Sequence, residues 1–180
     1  TYPGEGEIIH LRPNAAGDNA QWTIGTGSTF AEIDEVTPDD ITTYISTETD
    51  AQISDFNLDA TPAGLASDDT INVVQVGASY HNVSDGTFAL RIKASSGGTV
   101  ETSADITNDG LDTWYTNANA VPRNYALTLY DLPGASTTAW TKADLDTTQI
   151  GVSRAVDNRE SEVSTMWLLV DHKPAAGGTT

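Results

Sequence analysis

A chain of 180 residues with 38% hydrophobic residues, four Trp, six Tyr and three Phe is long enough to bury a core as one domain. Its 26 acidic residues against 8 basic ones give a formal net charge of −18 and a pI near 4.1. With no basic cluster to displace counterions, the composition argues against direct nucleic-acid binding and against docking on an anionic bilayer. Cysteine is absent, which removes disulfides, thiolate metal sites and cysteine nucleophiles together.

The acidity itself has two readings, solubility or adaptation to salt on one side and cation binding on the other. No run approaches the roughly 18 apolar residues of a membrane-spanning helix. Thr1 to Arg12 does not follow the basic, apolar, small-residue order of a secretory leader.

In chain order, β-branched and alternating runs recur between Gly, Asn, Asp and Pro. Glu7 to Leu11 is a short opening strand, stopped by Pro13-Asn14 and Gly17-Asp18. Gln21 to Ile24 and Thr29 to Ile33 flank Gly25 to Ser28, a hairpin or tight crossover. After the acidic turn Pro38-Asp39-Asp40, Thr42 to Thr47 reads as a strand with Tyr44 on one face. Gln52 to Leu58 sets Ile53, Asp55 and Asn57 against Ser54, Phe56 and Leu58.

Thr70 to Tyr80 is the longest β signal, and Thr87 to Ala94 places Phe88, Leu90 and Ile92 opposite Ala89, Arg91 and Lys93. Ser95 to Gly98 turns the chain into Thr99 to Ala104. Asp112 to Thr116, Tyr125 to Tyr130, Ile150 to Val156 and Glu162 to Asp171 complete the strands, and Thr141 to Thr148 is a lone helical turn. No apolar pattern keeps a 3.6 period over three turns, and 26 Thr against 3 Lys favour extended structure. The expected fold is all-β, an antiparallel β-sandwich of jelly-roll-like type with few or no helices. Residues 1–173 form its single domain and 174–180 a flexible tail.

Few constellations carry chemistry. His10, His81 and His172 each lie at or near a strand and none sits in a motif, which favours surface or hydrogen-bonded roles over catalysis. Calcium is the one metal the composition suits, with candidate oxygens on Asp34, Glu35, Asp39 and Asp40, on Asp68 and Asp69, and on Asp157, Asn158 and Glu160. None of these matches a helix-loop-helix calcium loop, and acid pairs in turns also serve to bind turn backbone. With 26 acids, a facing carboxylate pair carries little information about glycoside hydrolysis. Gly25-Thr26-Gly27 and Gly97-Gly98 open strands rather than helices, so no phosphate cradle is present. The expectation is a non-enzyme without a cofactor.

Aromatic residues give the best binding hint. Trp114-Tyr115, beside Asn117 and Asn119, and Trp140 form a candidate interaction surface that could stack on sugars or anchor a protein. Packing is their competing role, and the role expected of Trp22 and Trp167.

Arg12-Pro13-Asn14 before Trp22, then Ile33-Asp34-Glu35, Asp39-Asp40 and Thr43-Tyr44-Ile45, are followed by Thr138-x-Trp140-Thr141, Leu145, Gln149 to Val152 and the closing strand Glu162 to Val170. This arrangement resembles largely uncharacterised virion-associated proteins of tailed phages. The resemblance implies a capsid decoration or surface subunit of a virus particle, with Trp140-Thr141 and Gln149-Ile150-Gly151 as fold landmarks. It implies partners in itself, as a homo-oligomer such as a trimer, and in a major capsid or other virion protein, with assembly in the host cytoplasm. One terminus, Thr1 to Leu11 or Asp171 to Thr180, is expected to make contacts outside its own fold. The alternative is a carbohydrate-binding β-sandwich module.

Overall fold

The computed structural model describes residues 6–24, 29–37, 42–82, 86–95, 97–107, 125–130, 139–154 and 159–175. Two antiparallel sheets pack face to face as an all-β sandwich. The first holds β1 (Glu7–Leu11), β3 (Thr23–Ile24), β4 (Ile45–Thr47), β6 (Thr70–Asn82), β10 (Tyr125–Tyr130) and β12 (Ser161–Lys173). Its order is β10-β6-β12-β4-β3, with β1 also on β12. The second holds β2 (Pro13–Ala20), β5 (Ile53–Leu58), β7 (Thr87–Lys93), β8 (Val100–Thr102), β9 (Ile106–Thr107) and β11 (Gln149–Arg154). Its order is β2-β5-β11-β7-β8, with β9 on the far end of β7.

The core lies between the sheets and follows side-chain alternation. Val74, Val76, Ala78, Met166, Leu168 and Val170 face inward from β6 and β12, against Phe56, Phe88, Leu90, Ile92, Ile150 and Val152. Phe88 anchors the aromatic end, edge-on to Tyr80 at 5.1 Å and to Trp22 at 6.4 Å between ring centroids. Two irregularities keep the pattern facing inward. Register slips between Val163 and Thr165, so Val163 and Met166, three residues apart, both point to the core. A second slip at Asp171/His172 does the same for Ile71 and Val74 on β6.

β12 uses its second edge for three different partners. β4 pairs with Ser161 to Val163 and β1 pairs with Leu168 to His172. Between them the chain at 33–35 stands in for a strand: the Met166 N–H donates to the Ile33 carbonyl at 2.9 Å, and the Thr165 hydroxyl donates to the Glu35 carbonyl at 2.9 Å. Arg12 completes the gap, donating from Nη1 to Thr165 Oγ1 at 3.2 Å and to the Met166 carbonyl at 3.4 Å.

Several local expectations change. Thr29 to Ile33 was expected as a strand, and Thr29–Glu32 is a 3-10 turn that drops Ile33 into the core. Thr42 to Thr47 shortens to Ile45–Thr47. The stop at Pro13-Asn14 and Gly17-Asp18 is instead β2, an edge strand on β5. An edge tolerates Pro13 at its first position, and Gly17 passes so close to β5 that a Cβ there would lie 2.7 Å from the Asp55 carbonyl. The helical turn is α1 (Lys142–Leu145), started by a reciprocal capping box in which Thr141 accepts from the Asp144 N–H and Asp144 accepts from the Thr141 N–H. The hairpin at Gly25 to Ser28 and the strand at Asp112 to Thr116 lie outside the described residues.

Candidate functional site

The outer face of the second sheet carries a buried polar cluster built from two cross-strand rows. In the first row Gly151 on β11 stands between Asp55 on β5 and Arg91 on β7. With no side chain between them, Arg91 Nε reaches across to Asp55 Oδ1 at 3.2 Å. In the second row Gln149 stands between Asn57 and Lys93, and its Nε2 donates to Asn57 Oδ1 at 2.9 Å.

β2 closes over both rows. Lys93 Nζ meets Asp55 Oδ2 at 3.1 Å and Asp18 Oδ2 at 2.8 Å, and Gln149 Nε2 also reaches Asp18 Oδ1 at 3.1 Å. Asn19 Nδ2 donates to the same Asp55 Oδ2. Asp55 is 1% exposed and Lys93 3%. Charges this deep persist only when paired and hydrogen-bonded, and removal of one partner strands the others.

The outer face of the first sheet carries an aromatic feature of a different kind. Trp167 on β12 pairs with Gly77 on β6, and its indole packs over the glycine so closely that a Cβ there would lie 2.3–2.6 Å from three indole atoms. The Arg12 guanidinium stacks over the Trp167 ring, 5.5 Å from the centroid. Burial holds the Arg12 pKa below its ordinary value, and Glu35, Asp34 and Asp59 oppose that shift. Partial burial, then the nearby Arg12 charge, hold His10 below its usual value although the residue is largely exposed. Ile8, 46% exposed, lies on β1 opposite Asp171 of β12. Trp and Arg are among the residue types enriched at the centres of protein interfaces.

A hollow of about 290 Å³ is lined by Thr23, Ser46, Thr47, Glu48, Thr49, Gln52 and Glu160. Arg154 Nη1 donates to the Thr47 carbonyl at 3.0 Å, and the turn between β4 and β5 contains Ala51 at a φ of +59°. Glu162 first, then burial and Glu160, push the Tyr44 hydroxyl pKa up.

Of the three aromatic residues singled out by sequence, Trp140 is 4% exposed and packs in the core cluster, while Trp114 and Tyr115 lie outside the described residues. Trp167, assigned to packing, faces outward. Its parity relative to Val163 is set by the register slip, which no local pattern announces.

Two of the candidate calcium carboxylates, Glu35 and Asp69, are engaged by groups of the protein itself. Glu35 accepts from the Thr43 hydroxyl at 2.8 Å. Asp69 accepts from the Ala66 and Ala175 N–H groups at 3.0 and 3.2 Å and from His172 Nδ1 at 3.0 Å. Burial raises the Asp69 pKa, and those hydrogen bonds outweigh it and hold the carboxyl below its ordinary value. Asp39, Asp40, Asp157 and Asn158 lie outside the described residues. Among the described residues, no three His, Cys, Asp or Glu side chains gather as a metal site.

His81 is buried on Glu162, with Nδ1 2.6 Å from Oε2, so His81 and His172 have hydrogen-bonded roles and His10 is an exposed strand residue. Among the described residues no helix is long and apolar enough to cross a membrane.

No family model and no curated protein matches the chain. Among solved structures, the coat protein of tobacco streak virus is similar over 100% of this chain and 94% of that chain, at 14% identity and a TM-score of 0.42.

Proposed function

We propose that this chain is a non-enzymatic structural subunit of a virus particle, a capsid decoration or surface protein that acts by self-association and by contact with the shell. The observation that carries this reading is strand order. On one face β1, β12, β6 and β10 are neighbours, and on the other β5, β11, β7 and β8. Numbered along the chain as eight main strands, these are 1-8-3-6 and 2-7-4-5, the order of two interlocked Greek keys in a jelly roll. That architecture serves viral capsid and lectin domains. β2, β3 and β4 are additions between the first two main strands.

The surface is consistent with assembly. Among the described residues β1 pairs with β12 alone, so its second edge presents backbone donors and acceptors, with Ile8 beside it. The Arg12–Trp167 stack lies on the adjoining outer face. Self-association through β1 is tested by amide hydrogen exchange over a protein concentration series. Protection of Glu7 to Leu11 that grows with concentration supports the reading, and exchange independent of concentration contradicts it. The fold is shared with lectins, so a glycan screen that returns binding lost in Trp167→Ala would favour the carbohydrate-binding alternative.

A further inference from the structure

Lys93, Asn19 and Asp55 stand in an arrangement that goes beyond an ion pair. Asp55 Oδ2 accepts from Lys93 Nζ at 3.1 Å and from Asn19 Nδ2, so a single carboxylate oxygen lies between an amine and a side-chain amide nitrogen. The amine is buried on β7, the amide lies on β2, and the carboxylate is fixed on β5 by Arg91 at 3.2 Å. Asp18 Oδ2, 2.8 Å from Nζ, holds the lysine from the other side.

We propose that Lys93 and Asn19 join as an intramolecular isopeptide bond, with Asp55 carrying the protons. Asp55 takes a proton from the Lys93 ammonium, and the freed amine attacks Asn19 Cγ. Asp55 then returns that proton to Asn19 Nδ2 as the Cγ–Nδ2 bond breaks. A second proton of the attacking nitrogen leaves with the ammonia and the third stays as the amide N–H, so ammonium departs and Asp55 is again ionised. One Nζ–Cγ amide forms, one Cγ–Nδ2 amide breaks, and neither an oxidant nor an external reagent is needed.

The product keeps the site balanced. Lys93 loses its charge, and Asp55 retains Arg91 as its partner. Asp18 retains the Gln149 amide and the Gly97 N–H. The bond ties edge strand β2 to β7 across two intervening strands, β5 and β11. A cross-link between residues this far apart in sequence restricts the unfolded chain, in a protein that has no cysteine with which to do so. This inference is independent of the virion reading, since it concerns a bond within one chain.

The test is intact-mass measurement of the purified full chain, followed by cleavage before Asp residues and fragment sequencing. The expected result is a chain lighter than its sequence by one ammonia, with residues 18–33 and 85–104 recovered as one branched peptide joined at Asn19 and Lys93. Lys93→Arg should show the full sequence mass, as should Asp55→Asn if it folds. Three results overturn the proposal: the full sequence mass in the native chain, a loss of ammonia confined to a linear peptide containing Asn19, or a loss of water with the branch at Asp18.

Discussion

Gly151 and Asp55 are cross-strand neighbours, and the missing Cβ of the glycine leaves room for the carboxylate. A Cβ at residue 151 would lie 2.2 Å from the Ser54 carbonyl and 2.7 Å from Asp55 Oδ1. Gly151→Ala should therefore move Asp55 off Arg91 and cost about 1–3 kcal/mol, the usual range for overpacking a close site. Urea unfolding checks the magnitude, and an unchanged midpoint would show that the strand relaxes without loss.

Asp55→Ala is a harsher change at the same place. It leaves Arg91 and Lys93 without the carboxylate that both contact. Breaking a buried ion pair from one side costs on the order of 3–5 kcal/mol, so this variant should be less stable than Gly151→Ala. Thermal unfolding of the two variants side by side decides the order.

On the opposite face, Gly77→Ala should displace the Trp167 indole, because the new Cβ would lie 2.3–2.6 Å from three indole atoms. Both the Arg12 stack and part of the indole burial are lost with it. A cost of about 1–3 kcal/mol is expected, with a red shift in tryptophan emission that is absent when the same change is made in a Trp167→Phe background.

Asp69 makes stability depend on acid. Its folded pKa lies below the ordinary 3.8, so it contributes stability that is complete above that value and is lost as pH falls through the folded value. Asp146 acts in the same sense, held low first by hydrogen bonds from Lys142 and Thr61, against a smaller opposing effect of burial. Asp69→Asn should therefore be less stable near neutrality and lose less on acidification below 3.8. Unfolding free energies measured at a series of pH values test the slope.

Strands that bury one full face were legible from sequence. Phe88, Leu90 and Ile92 alternate in β7, and all three are core residues. The same pattern was a poor guide to the other face, since Arg91 and Lys93 are buried too. Their cover is β2, whose Pro13, Ala15, Ala16 and Gly17 have little strand propensity of their own. Its place depends on long-range partners, Asp55 and Lys93, that no local window contains. Trp167, expected to pack, faces outward for a related reason: a register slip between Val163 and Thr165 decides which way it points. Trp140 shows the converse, a loop tryptophan drawn into the core beside the capped turn of α1.

The central claim is that the chain works by assembling, and its mass in solution tests this most directly. Light scattering over a concentration series, with and without calcium, should give a closed oligomer that Ile8→Lys weakens. A monomer at every concentration, with and without calcium, would contradict the account.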